Sequence, residues 1–195
     1  MLPGLKSIES MLFLAAIILW ILSEYVGAGV IPYFRRHGSK VKKEDRGSRL
    51  LLSFSMYISV AIGIYFAFRN IAPSPEWTFY IGIFLMIMGI VIRQWSIAVL
   101  GSFFSGTVGI QKGQKVVKKG PYKLVRHPSY TGLLLTLIGI GLALQSWGAV
   151  TVIILGFICG FGYRIHVEEK LLVSKLGDEY VQYMKDTKRL IPYIL

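Results

Sequence analysis

The chain of 195 residues is short of charge: Asp, Glu, Lys and Arg make up 16% of it, where a soluble domain carries about a quarter. It is shorter still of acid, with 10 Asp and Glu against 22 Lys and Arg. Cysteine occurs once, at Cys159, which excludes a disulfide framework or a thiolate metal cluster within one chain. His37, His127 and His166 have no metal-ligand spacing, and neither an H-E-x-x-H run nor a Walker motif occurs, so no metal site is expected. The glycine-bearing stretch GSFFSGTVG at 101–109 is not a G-x-G-x-x-G following a strand, which excludes a Rossmann domain. A nucleotide-like cofactor would have to be held by loops and helix ends.

What the chain has in excess is apolar length. The hydrophobic fraction is 54% and the mean hydropathy is +0.58. Five apolar runs stand out, at about 11–31, 50–68, 77–100, 129–144 and 147–163. The expected fold is an all-α integral membrane protein, one membrane domain over 1–195 with about five transmembrane helices. The first three runs reach the ~20 residues that cross a bilayer. The last two are shorter, split only by Gln145-Ser146, and read as a tight helical hairpin with a thin bilayer or interfacial ends. A single bent helix in their place would leave the charge pattern unexplained.

Residues 35–49, 112–126 and 164–189 hold seven, six and six of the 22 basic residues. With five spans all three segments fall on one side, which the positive-inside rule makes cytoplasmic, with the N-terminus outside and the C-terminus inside. The basicity is thus topological, with attraction to anionic headgroups as a second reading, and nucleic acid is not expected as a partner. The first run has Lys6 before it and Gly27-Ala28-Gly29 near its end, as a cleaved signal would. The basic residues that follow at once oppose translocation, so it is read as a span.

The outward loops, 70–76 and 145–146, are too short to build a site. Chemistry is expected in the inward loop at 101–128 and the tail at 165–195. In GPYKLVRHPSYTG, residues 120–132, Gly120-Pro121 is turn chemistry and Pro128 opens a helix at a position where its missing N–H costs nothing. The N–H groups of Ser129, Tyr130 and Thr131 are then expected to lack helical partners and to favour a bound carboxylate or phosphate. The plainer reading is a proline-started membrane helix with an interfacial aromatic. RIHVEE, residues 164–169, is read as the end of the fifth span. Arg164 and Glu168 share a face there, either as a surface ion pair with a snorkelling arginine or as ligand contacts, since base precedes acid and two carboxylates sit at an end that favours cations. Arg93 lies about two turns inside the third span and is either functional or snorkelling. Glycines at 132, 139, 141, 148, 156, 160 and 162 read first as helix packing and second as a lipid groove. Leu172, Leu176, Tyr180, Tyr183 and Met184 have the spacing of an interfacial helix that lids the site.

Taken together, RQWSIAVLGSFFSGTV, QKVVKKGPYKLVRHPSYTG and RIHVEEKLLVSKLGDEYVQYMKDTKRLIP resemble the isoprenylcysteine carboxyl methyltransferase family. That family stands in a wider group of membrane methyltransferases that includes phospholipid methyltransferases. The match covers about 93–192; G-x-Y…R-H-P-x-Y-x-G followed by R-x-x-x-E-E and L-G-x-x-Y is specific, while R-H-P alone is weak. The resemblance implies S-adenosylmethionine as donor, S-adenosylhomocysteine as product and a carboxylate as acceptor. It implies that Gln114, Lys115, Val116, Val117 and Tyr122 line the adenosine side. His127, Pro128, Ser129, Tyr130 and Glu168 would hold the donor's amino-acid end, and Arg164 the acceptor carboxylate, with Arg164 and Glu168 as the catalytic pair. Gln114 stands where relatives can have histidine, and two glutamates follow the last span where some have more. The acceptor is expected from the lipid phase, as a prenylcysteine or similar lipophilic carboxylate, with no obligate protein partner. The site would face the cytoplasm, at the endoplasmic reticulum in a eukaryote or the cell membrane in a prokaryote. Phospholipid N-methylation, with Glu168, Glu169 or His166 as base, is the enzyme alternative. A scaffold or small transporter is the non-enzymatic one.

Overall fold

A computed structural model describes residues 6–30, 42–43, 47–111 and 113–192. The basic positions Arg35, Arg36, Lys40, Arg46 and Lys112, with Ile31 and His37, lie outside the described residues. The described chain is helical: α1 Ser7–Ser23, continued by a π-helical turn Glu24–Val30, α2 Ser48–Phe68, α3 Thr78–Leu100, α4 Pro128–Ala143, α5 Trp147–Leu176 and α6 Asp178–Asp186. Two short strands, β1 Lys42–Lys43 and β2 Gly109–Ile110, pair antiparallel.

Among the described residues four helical segments are long and apolar enough to cross a membrane: Ser7–Gly27, Ser48–Phe68, Thr78–Phe103 and Trp147–Leu176. The helix Pro128–Ala143 has 16 residues, short of the ~20 of a full span. Three boundaries differ from the apolar runs. The first helix gives way to the π-helical turn at Glu24, before the run ends. Thr78, not Trp77, is the first residue of α3. The last long helix does not end near Tyr163 but continues to Leu176, because Leu171, Leu172 and Leu176 carry its buried face past the charged RIHVEE segment. Gly177, at φ 57°, then allows the sharp break into α6 that a side chain would disfavour.

Glycines set the helix spacing. A Cβ on Gly82 would lie 2.6 Å from the Gly139 carbonyl, and one on Gly139 would lie 2.6 Å from the Gly82 carbonyl. One step along the same seam, Gly89 and Gly132 meet the same way, at 2.4 and 2.6 Å. The α3 and α4 backbones are therefore in contact, the close approach that small residues permit between membrane helices. On the other side, Gly156 and Gly160 of α5 sit on Ser59 and Ser55 of α2. Gly141 and Gly148 are likewise filled by neighbours, while Gly162 has open space. Packing accounts for all of these glycines but Gly162. Phe79, Met86, Leu137, Ile140, Ile153 and Phe161 fill the centre, each essentially without exposure. Large apolar side chains such as Leu50, Phe54, Phe84, Val91, Leu155 and Ile158 point outward and are exposed, as the lipid-facing surface of an integral membrane protein requires.

At one end the bundle is sealed by backbone. Ser74 donates its N–H to the Gln145 carbonyl and Trp147 to the Ala72 carbonyl, both near 2.9 Å. The Ser146 hydroxyl donates to the Ile71 carbonyl while accepting from the N–H of Ala149. The other end opens.

Candidate active site

A cavity of about 230 Å³ lies at the open end, walled by α2, α3, α4, α5, the 103–109 segment, the 114–117 strip and α6. Its polar side carries Gln114, Lys115, Ser129, His127, Glu168 and Arg164, and its apolar side Leu52, Leu133, Phe161, Leu171 and Leu176. Of the residues singled out in sequence, Gln114, Lys115, Val116, Val117, Tyr122, His127, Ser129, Tyr130, Arg164 and Glu168 all line it. Pro128 does not; it is fully buried at the first position of α4.

Glu168 and Glu169 are consecutive on a helix, so their side chains diverge by about 100°. Glu168 turns to the cavity and accepts a 2.7 Å hydrogen bond from the Tyr130 hydroxyl. That hydroxyl in turn accepts from Arg164 Nε at 3.0 Å. Arg164 donates further to the Gly106 carbonyl at 3.0 Å and reaches the Ser48 hydroxyl at 3.5 Å. The i, i+4 relation of Arg164 and Glu168 is thus bridged by a tyrosine from another helix. Tyr130 is itself fixed: its ring stacks on His127 at 5.4 Å between centroids and meets Phe161 edge-on at 5.1 Å.

Glu169 turns the other way. It is 5% exposed and is met by Arg126 Nε at 2.8 Å, His127 Nε2 at 3.4 Å and Arg189 Nε at 3.0 Å. A buried carboxylate is tolerable only when paired in this way. Arg126 also donates to the carbonyls of Met184 and Thr187. The backbone N–H groups of Arg126 and His127 donate to the carbonyls of Lys188 and Arg189, and the Thr131 hydroxyl donates to the Leu190 carbonyl at 2.7 Å. Residues 187–190 are therefore strapped across the R-H-P turn. The amphipathic helix α6 packs one face on the site: Tyr180 and Tyr183 are buried and line the cavity, and Tyr183 donates to the Tyr122 carbonyl at 2.7 Å. Burial pushes the Tyr183 hydroxyl up to about 12 and those of Tyr122 and Tyr180 above the usual phenol range, so all three stay protonated.

The expectation of bare N–H groups after His127 is corrected. Tyr130 and Thr131 both donate their N–H to the His127 carbonyl, at 2.9 and 3.1 Å. The first turn is tight and uses two of the three donors itself. RIHVEE is not a helix end either, so its two carboxylates are not opposing a terminus; they lie two turns inside α5 and each answers a partner.

Arg93 is 9% exposed. It forms a two-pronged ion pair with Glu24 and donates to the Ser129 hydroxyl at 2.9 Å and the Ser129 carbonyl at 3.1 Å. It does not snorkel. Sequence reasoning missed several cavity residues: Arg49, Leu52 and Ser53 from α2, Arg126, and the 103–109 segment. The 103–109 segment lies inside the inward loop where chemistry was expected, though none of its residues was singled out; the α2 residues carried no signal.

Fold and cavity define a class: an integral membrane protein whose helices close on a pocket with a polar and an apolar side, beside lipid-facing walls. Residues 81–174 match the model of the isoprenylcysteine carboxyl methyltransferase (ICMT) family. The chain is 28% identical over 95% of its length to a probable protein-S-isoprenylcysteine O-methyltransferase of Oryza sativa subsp. indica, covering 97% of that protein. It is 30% identical over 92% of its length to protein-S-isoprenylcysteine O-methyltransferase B of Arabidopsis thaliana, covering 90% of it. Its fold is similar to a solved structure, that of the eukaryotic intramembrane Ras methyltransferase ICMT, with a TM-score of 0.55 and 28% identity over 74% of this chain. The chain spans about half, 52%, of that larger protein. The chain belongs to the isoprenylcysteine carboxyl methyltransferase family.

Proposed function

We propose that the chain transfers a methyl group from S-adenosylmethionine to the carboxylate of a prenylated cysteine or a similar lipophilic acid, at the cytoplasmic face of a membrane. The observation that carries this reading is the Tyr130 hydroxyl, held by Arg164 on one side and Glu168 on the other within one cavity. Arg164 is suited to an anionic acceptor and Glu168 to a cationic group, so two ligands of opposite demand would meet a few ångströms apart.

The donor set fits such a methyl donor. Glu168 would take its ammonium, and Gln114 with the 115–117 strip and Tyr122 would line its adenosine. When bound, the donor supplies an electrophilic methyl group. Arg164 holds the acceptor, since a guanidinium matches a planar carboxylate in two-pronged fashion. A carboxylic acid with a pKa near 4 is ionised at pH 7 and asks for no general base. Leu52, Leu133 and Phe161 offer the apolar side along which a prenyl chain would lie, and Tyr180 and Tyr183 keep water from the far wall. Holding both reactants in line can supply several kcal/mol of the barrier lowering.

The topology we infer has the cavity, the R-H-P turn and α6 on the inward side, with α4 crossing as the short partner of a hairpin with α5. For N-methylation a base is required. His166 is exposed and outside the cavity, and Glu169 is engaged by Arg126, His127 and Arg189, which leaves Glu168 as the remaining base of the three and favours the carboxyl reading.

The test is transfer from labelled S-adenosylmethionine to a farnesylated cysteine analogue by purified protein in detergent, followed by base. Label released as methanol supports the carboxyl ester. Label in a base-stable lipid product transfers the assignment to N-methylation, and absence of both transfer and donor binding removes the enzyme reading.

A further inference from the structure

We propose that Glu24, at the end of the first helix and outside the segment that matches the family model, is a positioning residue for the cavity. It acts through Arg93 on Ser129; the inference rests on the reading of the cavity as the donor site.

The geometry is a three-residue chain across three helices. Glu24 grips Arg93 through both carboxylate oxygens. The remaining guanidinium nitrogen, Nη1, is turned to α4, where it donates to both oxygens of Ser129. Ser129 and Arg93 line the cavity. Without an acid to hold it, an arginine at this depth would reorient toward water, since an unpaired charge in a membrane is costly. With the acid in place, one rotamer is enforced and Nη1 has one direction in which to point.

The local backbone is shaped to this end. The α1 helix turns into a π-helical turn that begins at Glu24 itself, and such wide turns recur at functional sites. Gln94, next to Arg93, donates to the Ser23 carbonyl at 3.1 Å. A Cβ on Gly27 would lie 1.7 Å from the Gln94 side-chain oxygen, so the turn is docked against α3 at van der Waals contact. On the opposite face, a Cβ on Gly132 would lie 2.7 Å from the Arg93 N–H nitrogen. The α3 and α4 backbones touch at this level, which brings Ser129, one turn away, within reach of the guanidinium. The neutral analogue, a glutamine at 24, would preserve the length and lose the charge that fixes Arg93.

A structural staple and a positioning device make different predictions. In Glu24→Gln the device loses direction while the helices stay packed: donor affinity weakens about 10-fold and turnover falls about 10- to 100-fold, the scale of an ångström's misplacement. Amide hydrogen exchange at residues 129–133 accelerates while that of the α2–α5 seam does not. The charge-exchanged pair, Glu24→Arg with Arg93→Glu, restores the ion pair but turns a carboxylate to the Ser129 carbonyl. Thermal stability in detergent is recovered in it, and turnover is not. Recovery of both in the exchanged pair, or Glu24→Gln with unaltered exchange at 129–133 and unaltered donor affinity, overturns the proposal. The exchange measurement needs neither donor nor acceptor, so its outcome stands apart from that of the methyl-transfer assay: wild-type protein without donor binding would sink the functional reading, whatever the exchange result.

Discussion

The two ends of the bundle are closed by different chemistry. At the sealed end, residues 70–76 and 145–147 join through backbone hydrogen bonds and one serine, and no charged side chain is needed to hold them. At the cavity end, closure depends on buried ionic and phenolic side chains: Arg164–Tyr130–Glu168 on the cavity side and Glu169 with Arg126, His127 and Arg189 behind it. Backbone pairing depends little on side-chain charge, so the sealed end rests on turn geometry, with Asn70, Ala72 and Gln145 at positive φ. A buried charge costs several kcal/mol unless it is answered, so the cavity end ties its stability to specific residues. Adjacent Glu168 and Glu169 show the division most sharply. One faces the cavity, the other holds the wall.

Breaking that division gives the measurements. The largest effect is expected from Arg164→Ala, which should lower methyl transfer about 100- to 1,000-fold, the usual cost of removing a donor aimed at reacting charge. Donor affinity should stay nearly intact; unchanged turnover in single-turnover kinetics would remove Arg164 from the acceptor site. Next comes Glu169→Ala, which leaves Arg126 and His127 buried without their acid and should cost about 3–5 kcal/mol of stability. Its readout is thermal unfolding in detergent, together with faster proteolysis of the strap at 187–190. Glu168→Gln should do the reverse, weakening donor binding about 10-fold with little change in unfolding temperature, as calorimetry would report. If Glu168→Gln and Glu169→Ala prove interchangeable in both assays, the two-faced reading fails. Tyr130→Phe keeps the ring stacking and deletes the hydroxyl with both its charge-linked hydrogen bonds, to Glu168 and from Arg164, and should lower turnover about 10-fold. The smallest effect belongs to the sealed end: Ser146→Ala removes a helix cap, costs about 1 kcal/mol, and leaves transfer unchanged.

Much of the fold was legible because bilayer length and apolarity are one-dimensional properties. The runs at 11–31, 50–68, 77–100 and 147–163 correspond to the four long helices. The 129–144 run became the short α4, flagged by Pro128 at its start. Helix ends were read less well wherever charge and helix coexist. RIHVEE looked like a terminus because charged residues usually leave the membrane, yet Leu171, Leu172 and Leu176 carry the helix onward. In the site, ten of the eleven positions singled out surround the cavity, and Pro128 is buried behind it. The bare helix start after His127 failed because the first turn tightened and consumed its own donors.

The sequence by itself determined a membrane protein and pointed to 101–128 and 165–195 for its chemistry, since composition and motif order are written along the chain. It could not determine partners, because a hydrogen bond joins residues by proximity in space. That Tyr130 would bridge Arg164 to Glu168, that Glu169 would face away, and that Glu24 would answer Arg93 from 69 positions upstream were decided by tertiary structure. The glycine contacts between α3 and α4 bring those backbones together, and from that approach the reach of Arg93 to Ser129 follows.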